Sequence, residues 1–230
     1  MRSTAVIVVA AGAGSRMGGP LPKPYLMLGD HPILIHSLQS FDRLELLQQK
    51  VLVVSDALKH WVEKEFLPQW KMKDWKVVAG GASRKESTAK GLEAISSSCD
   101  SVLVHDGVRP FVSRSVIQQL LEKAQQGKNC IVAVPAKDTV KKVLGNRIEK
   151  TLARESLWLA QTPQAFSAAT LRRAYQKVNG TDFAATDEAS LVENLGEPVE
   201  VILGDPRNIK ITTPQDLKLA EALLTEWEDA

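Results

Sequence analysis

The segment Gly12-Ala13-Gly14-Ser15-Arg16-Met17-Gly18, followed by Lys23 between Pro22 and Pro24, holds residue types that bind phosphate. Glycines let backbone amides face anionic oxygens, and two cations stand close by. The segment is not the dinucleotide fingerprint GxGxxG, whose third glycine would fall at Met17, nor a Walker A loop, because Pro20 and not lysine follows Gly19. Pro20, Pro22 and Pro24 hinder a helix from starting inside the loop, so a nest of amides with Arg16 and Lys23 would carry the phosphate. Both side chains are expected to be exposed there. Taken alone, a mobile glycine turn with two solvated cations explains the loop as well. Asp106 is the other candidate. It follows the apolar run from Ser101, which puts its carboxylate at the carboxyl edge of a sheet, where ligands of open α/β folds bind. A turn or helix cap is the commoner use of such an aspartate. No Ser-His-Asp or Cys-His arrangement is present, and His105 reads as structural.

The elements that must position these groups follow a βα rhythm. Short apolar, β-branched runs at 5–11, 51–55, 76–79, 101–105, 131–135 and 199–203 alternate with longer helical patterns. Continuous apolar runs of this kind suit strands buried on both faces, which predicts a mostly parallel central sheet with helices on both faces. Helix starts are marked by Pro32, by Ser83-x-x-Glu86 as a capping box, by Ser113, and by Thr213-Pro214 with Asp216. Residues 139–151 break the rhythm: paired basic residues flank a Gly145-Asn146 turn between two short polar strands, a hairpin arm with little core of its own. It is expected to pack against another subunit. Trp61, Trp70 and Trp75 read as packing residues of a helix-to-strand region away from the phosphate motifs.

Composition narrows the function classes. A chain of 230 residues with 44% hydrophobic and 24% charged residues can bury a real core, which excludes disorder and disulfide-rich miniproteins. Net charge of +2 is too balanced for a nucleic-acid binder. Cys99 and Cys130 lie far apart without a CxxC spacing, so a reducing cytosol fits best. The first apolar run has seven residues, at the bottom of the signal-peptide range, and nothing approaches a membrane span.

Several segments carry a likeness to one family. AAGxGxRM followed by Pro-Lys-Pro resembles the nucleotidyltransferase signature loop. Gly80-Gly81-x-x-Arg84-x-x-Ser87, His105-Asp106-Gly107-Val108-Arg109-Pro110, Asp138-Thr139, Leu157-Trp158-x-x-Gln161-Thr162-Pro163-Gln164, Thr186-Asp187-Glu188-Ala189-Ser190 and Asn208-Ile209-Lys210 resemble the 2-C-methyl-D-erythritol 4-phosphate cytidylyltransferases of the non-mevalonate isoprenoid pathway. The resemblance spans nearly the whole chain. It implies a Rossmann-like nucleotidyltransferase domain over 1–230 with a dimerisation arm at 137–158. It also implies a reaction of CTP with a polyol phosphate that releases pyrophosphate, and a magnesium ion on Asp106. Such a reaction needs no general base, because a phosphomonoester is already ionised near neutral pH. It needs cations around the developing charge, and Arg16, Lys23 and Lys210 are the catalytic candidates. The family assigns Ala10, Ala11, Gly12, Gly14, Gly81 and Ser87 to CTP, although burial statistics alone favour a helix-surface reading of Ser87. It assigns Arg109, Thr139, Arg154 and Thr186 to the methylerythritol phosphate, Arg154 reaching the neighbouring subunit of a homodimer.

Thr88 stands where the family usually has valine. Arg207 stands where several relatives carry an acidic residue near the metal, and Asp205 is the candidate replacement. The sister ribitol-5-phosphate cytidylyltransferases share the loop and the arm but tend to have Thr-Asp-Ala-Cys at 186–189, which favours methylerythritol here. The remaining alternative is a non-catalytic nucleotide sensor that kept the fold.

Overall fold

The computed structural model describes residues 2–12, 21–42 and 44–227. β1 (Thr4–Ala10) leads through a 3₁₀ turn at Lys23–Tyr25 to the two-residue pair β2 (Met27–Leu28) and β3 (His31–Pro32) and then α1 (Ile33–Gln39). Next come β4 (Leu47–Val54), α2 (Asp56–Trp61), α3 (Leu67–Gln69), β5 (Lys76–Ala79), α4 (Arg84–Ala94), β6 (Ser101–Asp106), α5 (Arg114–Gln125) and β7 (Cys130–Pro135). The hairpin of β8 (Lys141–Leu144) and β9 (Arg147–Thr151) follows. β10 (Trp158–Ser167), α6 (Ala168–Val178), α7 (Glu188–Glu193), β11 (Glu200–Leu203) and α8 (Pro214–Leu224) complete the chain.

Seven strands form the main sheet in the order β11-β7-β10-β6-β1-β4-β5. The chain runs outward from β1 through β4 to β5, then returns to place β6 on β1's other side, with Val9 opposite Asp106. The carboxyl ends of β1 and β6 therefore flank the point where strand order reverses, the usual ligand crevice of such sheets.

Alternation explains why β1 reads as one apolar run. Val6 and Val8 point into a layer with Leu34, Leu38, Ile117 and Leu120, while Ala5 and Ile7 point into a second layer with Leu92, Leu171 and Leu191. Each buried Val, Leu or Ile among them contributes about 1.5–3 kcal/mol. Gly91 brings α4 against this sheet: a Cβ there would sit 2.6 Å from Ile7 Cγ2 and 2.9 Å from Val53 Cγ2. A third cluster around Leu28, Ile33, Phe111 and Ile211 seats α8.

The mostly parallel sheet is as expected, with one strand more than the sequence suggested. β10 lies between β6 and β7 and runs antiparallel to both. Gln161-Thr162-Pro163-Gln164 carries no strand signal of its own, because proline cannot donate to a ladder. Here the pairing with β7 jumps from Ala160 to Gln164, so Pro163 falls in the irregularity. The helix starts hold: Ser113 accepts from Val116 N–H, and Thr213 and Asp216 form a reciprocal capping box. At α4 the box is shifted. Ser83 accepts from Glu86 N–H, but the Glu86 carboxylate accepts from Ala82, one residue before the cap.

The hairpin turns at Gly145-Asn146, with Gly145 at φ +61°, and every residue of its two strands is exposed. Trp75 is buried, and Trp61 and Trp70 pack on the same cluster, as expected. Trp61 is not remote from the phosphate motifs, however. Its ring meets Tyr25 edge-on at 5.2 Å, in the same turn as Lys23.

Candidate functional site

Asp106 ends β6 almost fully buried. Its N–H donates to Thr162 Oγ1 at 3.0 Å. Arg84 Nε donates to Oδ1 at 3.2 Å, Lys210 Nζ lies 2.9 Å from Oδ2, and Arg109 Nε lies 3.6 Å from Oδ2. Burial alone would push the carboxyl pKa up, but the cations Arg84, Lys210 and Arg109 outweigh it and hold the group far below the usual carboxylate range. Asp106 is thus an anion at any physiological pH.

His105 beside it is fully buried and pushed down to about 4, chiefly by burial, so it is neutral near pH 7. Its tautomer follows from its partners. Thr162 Oγ1 accepts from Asp106 N–H and so gives its own hydrogen to His105 Nδ1 at 3.1 Å, leaving Nε2–H to donate to the Arg109 carbonyl at 3.0 Å. The imidazole ties β6, β10 and the Arg109 turn together and takes no charge, as its structural reading requires.

Arg84, the first residue of α4, points its Nη1 at both oxygens of Glu188, at 2.8 and 2.9 Å. Glu188 is fully buried at the start of α7 and also accepts from Tyr175 O–H at 3.1 Å. Against the pull of burial, Glu188 and Asp106 together raise the Arg84 pKa. Arg109 Nη1 donates to the Asn208 carbonyl at 2.7 Å, and burial lowers its pKa, with Asp106 opposing. Arg84, Asp106, Arg109 and Lys210 line a cavity of about 220 Å³ with Ala160, Gln161, Thr162, Gln164, Thr186 and Asp187. Gln164 is held by Asp187 Oδ2 and Ala189 N–H, and Asp187 Oδ1 caps α7.

A second group of contacts gathers at the end of β1. A Cβ on Gly80 would lie 2.6 Å from Ala11 Cβ and 2.8 Å from Ser87 Oγ, so only glycine permits this approach. Ser87 Oγ accepts from Gly81 N–H at 3.1 Å and donates to the Ser83 carbonyl at 2.8 Å. Ala11, Gly81 and Ser87 therefore meet at one sheet edge, and α4 joins them to the Asp106 cavity through Arg84.

The profile of the 2-C-methyl-D-erythritol 4-phosphate cytidylyltransferase family matches residues 4–226. The chain belongs to this family. Relatives bearing that name include those of Alkaliphilus metalliredigens, 42% identical over 97% of this chain and 94% of theirs, and Geotalea uraniireducens, 44% identical over 97% of both. Among solved structures, the Thermus thermophilus 2-C-methyl-D-erythritol 4-phosphate cytidylyltransferase superposes with a TM-score of 0.81 at 34% identity, covering 98% of this chain and all of that one. The Anaerococcus prevotii 4-diphosphocytidyl-2C-methyl-D-erythritol synthase reaches 0.86 at 31% identity, covering 97% and 96%. The fold is thus a nucleotidyltransferase fold and the chain an enzyme of that class.

Of the residues that the cytidylyltransferase motifs single out, Asp106, Arg109, Thr186 and Lys210 line one cavity. Ala10 is buried at the end of β1, and no described atom beyond its chain neighbours lies within 4 Å of where a Cβ on Gly12 would stand. Gly14 and Arg16 lie outside the described residues. Lys23 was expected to be exposed but is 9% exposed, because Pro22 and Pro24 shape a tight turn and Tyr25 anchors it against Trp61 and Phe66. Ser87 is 2% exposed, which removes the helix-surface reading. Thr139 and Arg154 are exposed and outside the cavity, with Arg154 Nη1 donating to the Lys137 carbonyl at 2.6 Å.

Two departures from the family pattern resolve locally. The buried Thr88 hydroxyl donates to the Arg84 carbonyl, so it is satisfied within α4. Asp205 pairs with Arg207 at 2.7 Å, and Arg207 also sits over the Trp227 ring. Asp205 does not line the Asp106 cavity; Asp187 does. Sequence reasoning missed Arg84 and Glu188, although both lie inside quoted motifs. Their pairing joins positions 104 residues apart and has no local signal.

Proposed function

We propose that this chain transfers the cytidylyl group of CTP to 2-C-methyl-D-erythritol 4-phosphate, giving 4-diphosphocytidyl-2-C-methyl-D-erythritol and pyrophosphate. One observation supports the reading above the others: an ionised carboxylate flanked by three cations, at the strand-order switch point of a sheet whose family carries this name. The acceptor phosphate oxygen forms a bond to the α-phosphorus of CTP. The bond from that phosphorus to the bridging oxygen breaks, its electron pair leaving with pyrophosphate. The acceptor is already an anion, so no proton needs to be removed.

The chain's own residues position and neutralise. Arg109 and Thr186 bind the acceptor phosphate, and Arg suits this by presenting a planar fork of donors. Arg16, Lys23 and Lys210 offset charge on the α-phosphoryl oxygens and the departing pyrophosphate. Ala10, Ala11, Gly12, Gly14, Gly81 and Ser87 line the CTP side. Among the described residues no three His, Cys, Asp or Glu side chains gather as an all-protein metal cage. A single ionised carboxylate in a polar cavity still suits magnesium, which takes one or two carboxylates plus substrate phosphates. Asp106 would hold it. Bound there, magnesium supplies further charge neutralisation to the triphosphate.

The functional unit in this reading is a homodimer whose arm, 137–158, carries Thr139 and Arg154 to the partner's cavity. The arm's exposed apolar side chains, Val143, Leu144 and Ile148, support it, as does the absence of Thr139 and Arg154 from the cavity of their own chain. Pyrophosphate release from CTP, ATP and GTP with a panel of polyol phosphates tests the proposal. Methylerythritol phosphate with CTP is expected to dominate. A preference for ribitol 5-phosphate would move the chain to the sister activity, and no release with any pair would leave a nucleotide-binding protein.

A further inference from the structure

Glu188 poses a charge problem. A buried carboxylate beside a site for anionic phosphates works against binding unless it is neutralised and has another task. Arg84 neutralises it, taking both Glu188 oxygens with Nη1 at 2.8 and 2.9 Å, and the Tyr175 hydroxyl holds the same carboxylate at 3.1 Å. The consequence falls on Asp106. An arginine left to itself would close its planar fork on the nearest carboxylate with two short bonds. Arg84 instead gives Asp106 one N–H, from Nε, at 3.2 Å, longer than the roughly 2.7–2.9 Å usual for a charged pair.

We propose that Glu188 is a positioning residue that acts through Arg84: it draws the guanidinium away from Asp106 and so leaves that carboxylate able to take the metal of a metal–CTP complex. The inference rests on the magnesium reading of Asp106. Arg84 is then the cation held back from Asp106 Oδ1, while Lys210 and Arg109 face Oδ2.

The test is calorimetry of CTP binding to the full chain with and without Mg²⁺, in the absence of acceptor so that nothing turns over. The readout is the factor by which Mg²⁺ tightens CTP binding. In Glu188→Gln the factor is expected to fall about tenfold, the size of one charge-assisted hydrogen bond, because Arg84 closes on Asp106. Binding without metal should stay the same or tighten. Arg84→Met/Glu188→Gln removes the competing cation as well and is expected to return the factor to about the wild-type value. Tyr175→Phe keeps every charge and is expected to match wild type.

Asp106→Asn separates the two readings. An unchanged factor there takes the metal off Asp106. A factor lost in Asp106→Asn but retained in Glu188→Gln overturns the Glu188 assignment alone. Failure of the double variant to recover overturns it too, since a purely structural Glu188 would leave the double no better than the single. If Glu188→Gln does not fold, Glu188→Asp replaces it. That variant keeps the charge but draws the carboxylate back, with an intermediate loss expected and an unchanged factor counting against the assignment.

Discussion

The Asp106 cavity and the hairpin arm are built on opposite terms. Among the described residues of the cavity, Asp106 is flanked by three cations, and one of these, Arg84, is held in turn by Glu188 behind it. In the arm both strands are exposed along their whole length, and Leu144 and Ile148 stand 77% and 63% open to solvent. Two-stranded hairpins of this kind are marginal in water. The cavity is therefore preorganised by its own chain, whereas the arm presents apolar surface that the described residues of its chain leave uncovered.

The sharpest break in the comparison is at Asp106. Asp106→Asn is nearly isosteric but leaves three cations facing a neutral amide, so turnover is expected to fall by about two to three orders of magnitude and the magnesium requirement to rise. Rates measured across a magnesium titration check it, and an unchanged magnesium dependence would remove Asp106 from the metal site.

A smaller factor tests whether the arm completes the cavity of a partner. Lys23→Ala and Arg154→Ala are each expected to inactivate a different part of the site, the second through binding of methylerythritol phosphate. If Arg154 acts in trans, subunit exchange between them makes about half of the dimers mixed and restores one of two sites in each, or roughly a quarter of wild-type activity per protomer. With exchange confirmed independently, no gain on mixing would confine Arg154 to its own chain.

How far the sequence reached follows the same division. The continuous apolar runs and the caps at Ser113 and Thr213 are local signals, and those elements stand where they were expected. β10 was hidden because Pro163 and its polar neighbours satisfy a ladder irregularity that only the sheet defines. Burial statistics alone favour a surface for Ser87, which the resemblance assigned to CTP, while its burial comes from Gly80 and Gly81 closing over it. The resemblance marked Arg84 and Glu188 without giving them work, since an ion pair across 104 residues exists only after folding.

Acid titration probes the cavity's preorganisation directly. His105 has its pKa lowered from 6.5 to about 4 on folding, so the unfolded chain binds the extra proton first and stability falls as pH drops from about 6.5 to 4. Asp106, depressed below its ordinary 3.8, contributes stability that is intact above that value and lost below it. Thermal unfolding from pH 7 to 3 is expected to show the upper window and the onset of the lower one in the wild type. The upper one should be missing in His105→Gln, and its persistence there would assign the loss to another group.

The smallest effect concerns the arm's own contribution to folding. Leu144→Ser/Ile148→Ser removes apolar surface that is exposed in the protomer, so no buried area is lost within the chain, and surface changes of this kind stay within about 0.5 kcal/mol. An arm that packs on a partner adds a concentration-dependent term, because association stabilises the folded state by mass action. The unfolding midpoint of the wild type should therefore rise with protein concentration, that of the double variant should not, and the two should converge on dilution. Sedimentation at the same concentrations is expected to find the wild type dimeric and the variant monomeric. A midpoint well below wild type at every concentration would mean that the arm packs on its own chain, and the contrast between the two regions would fail.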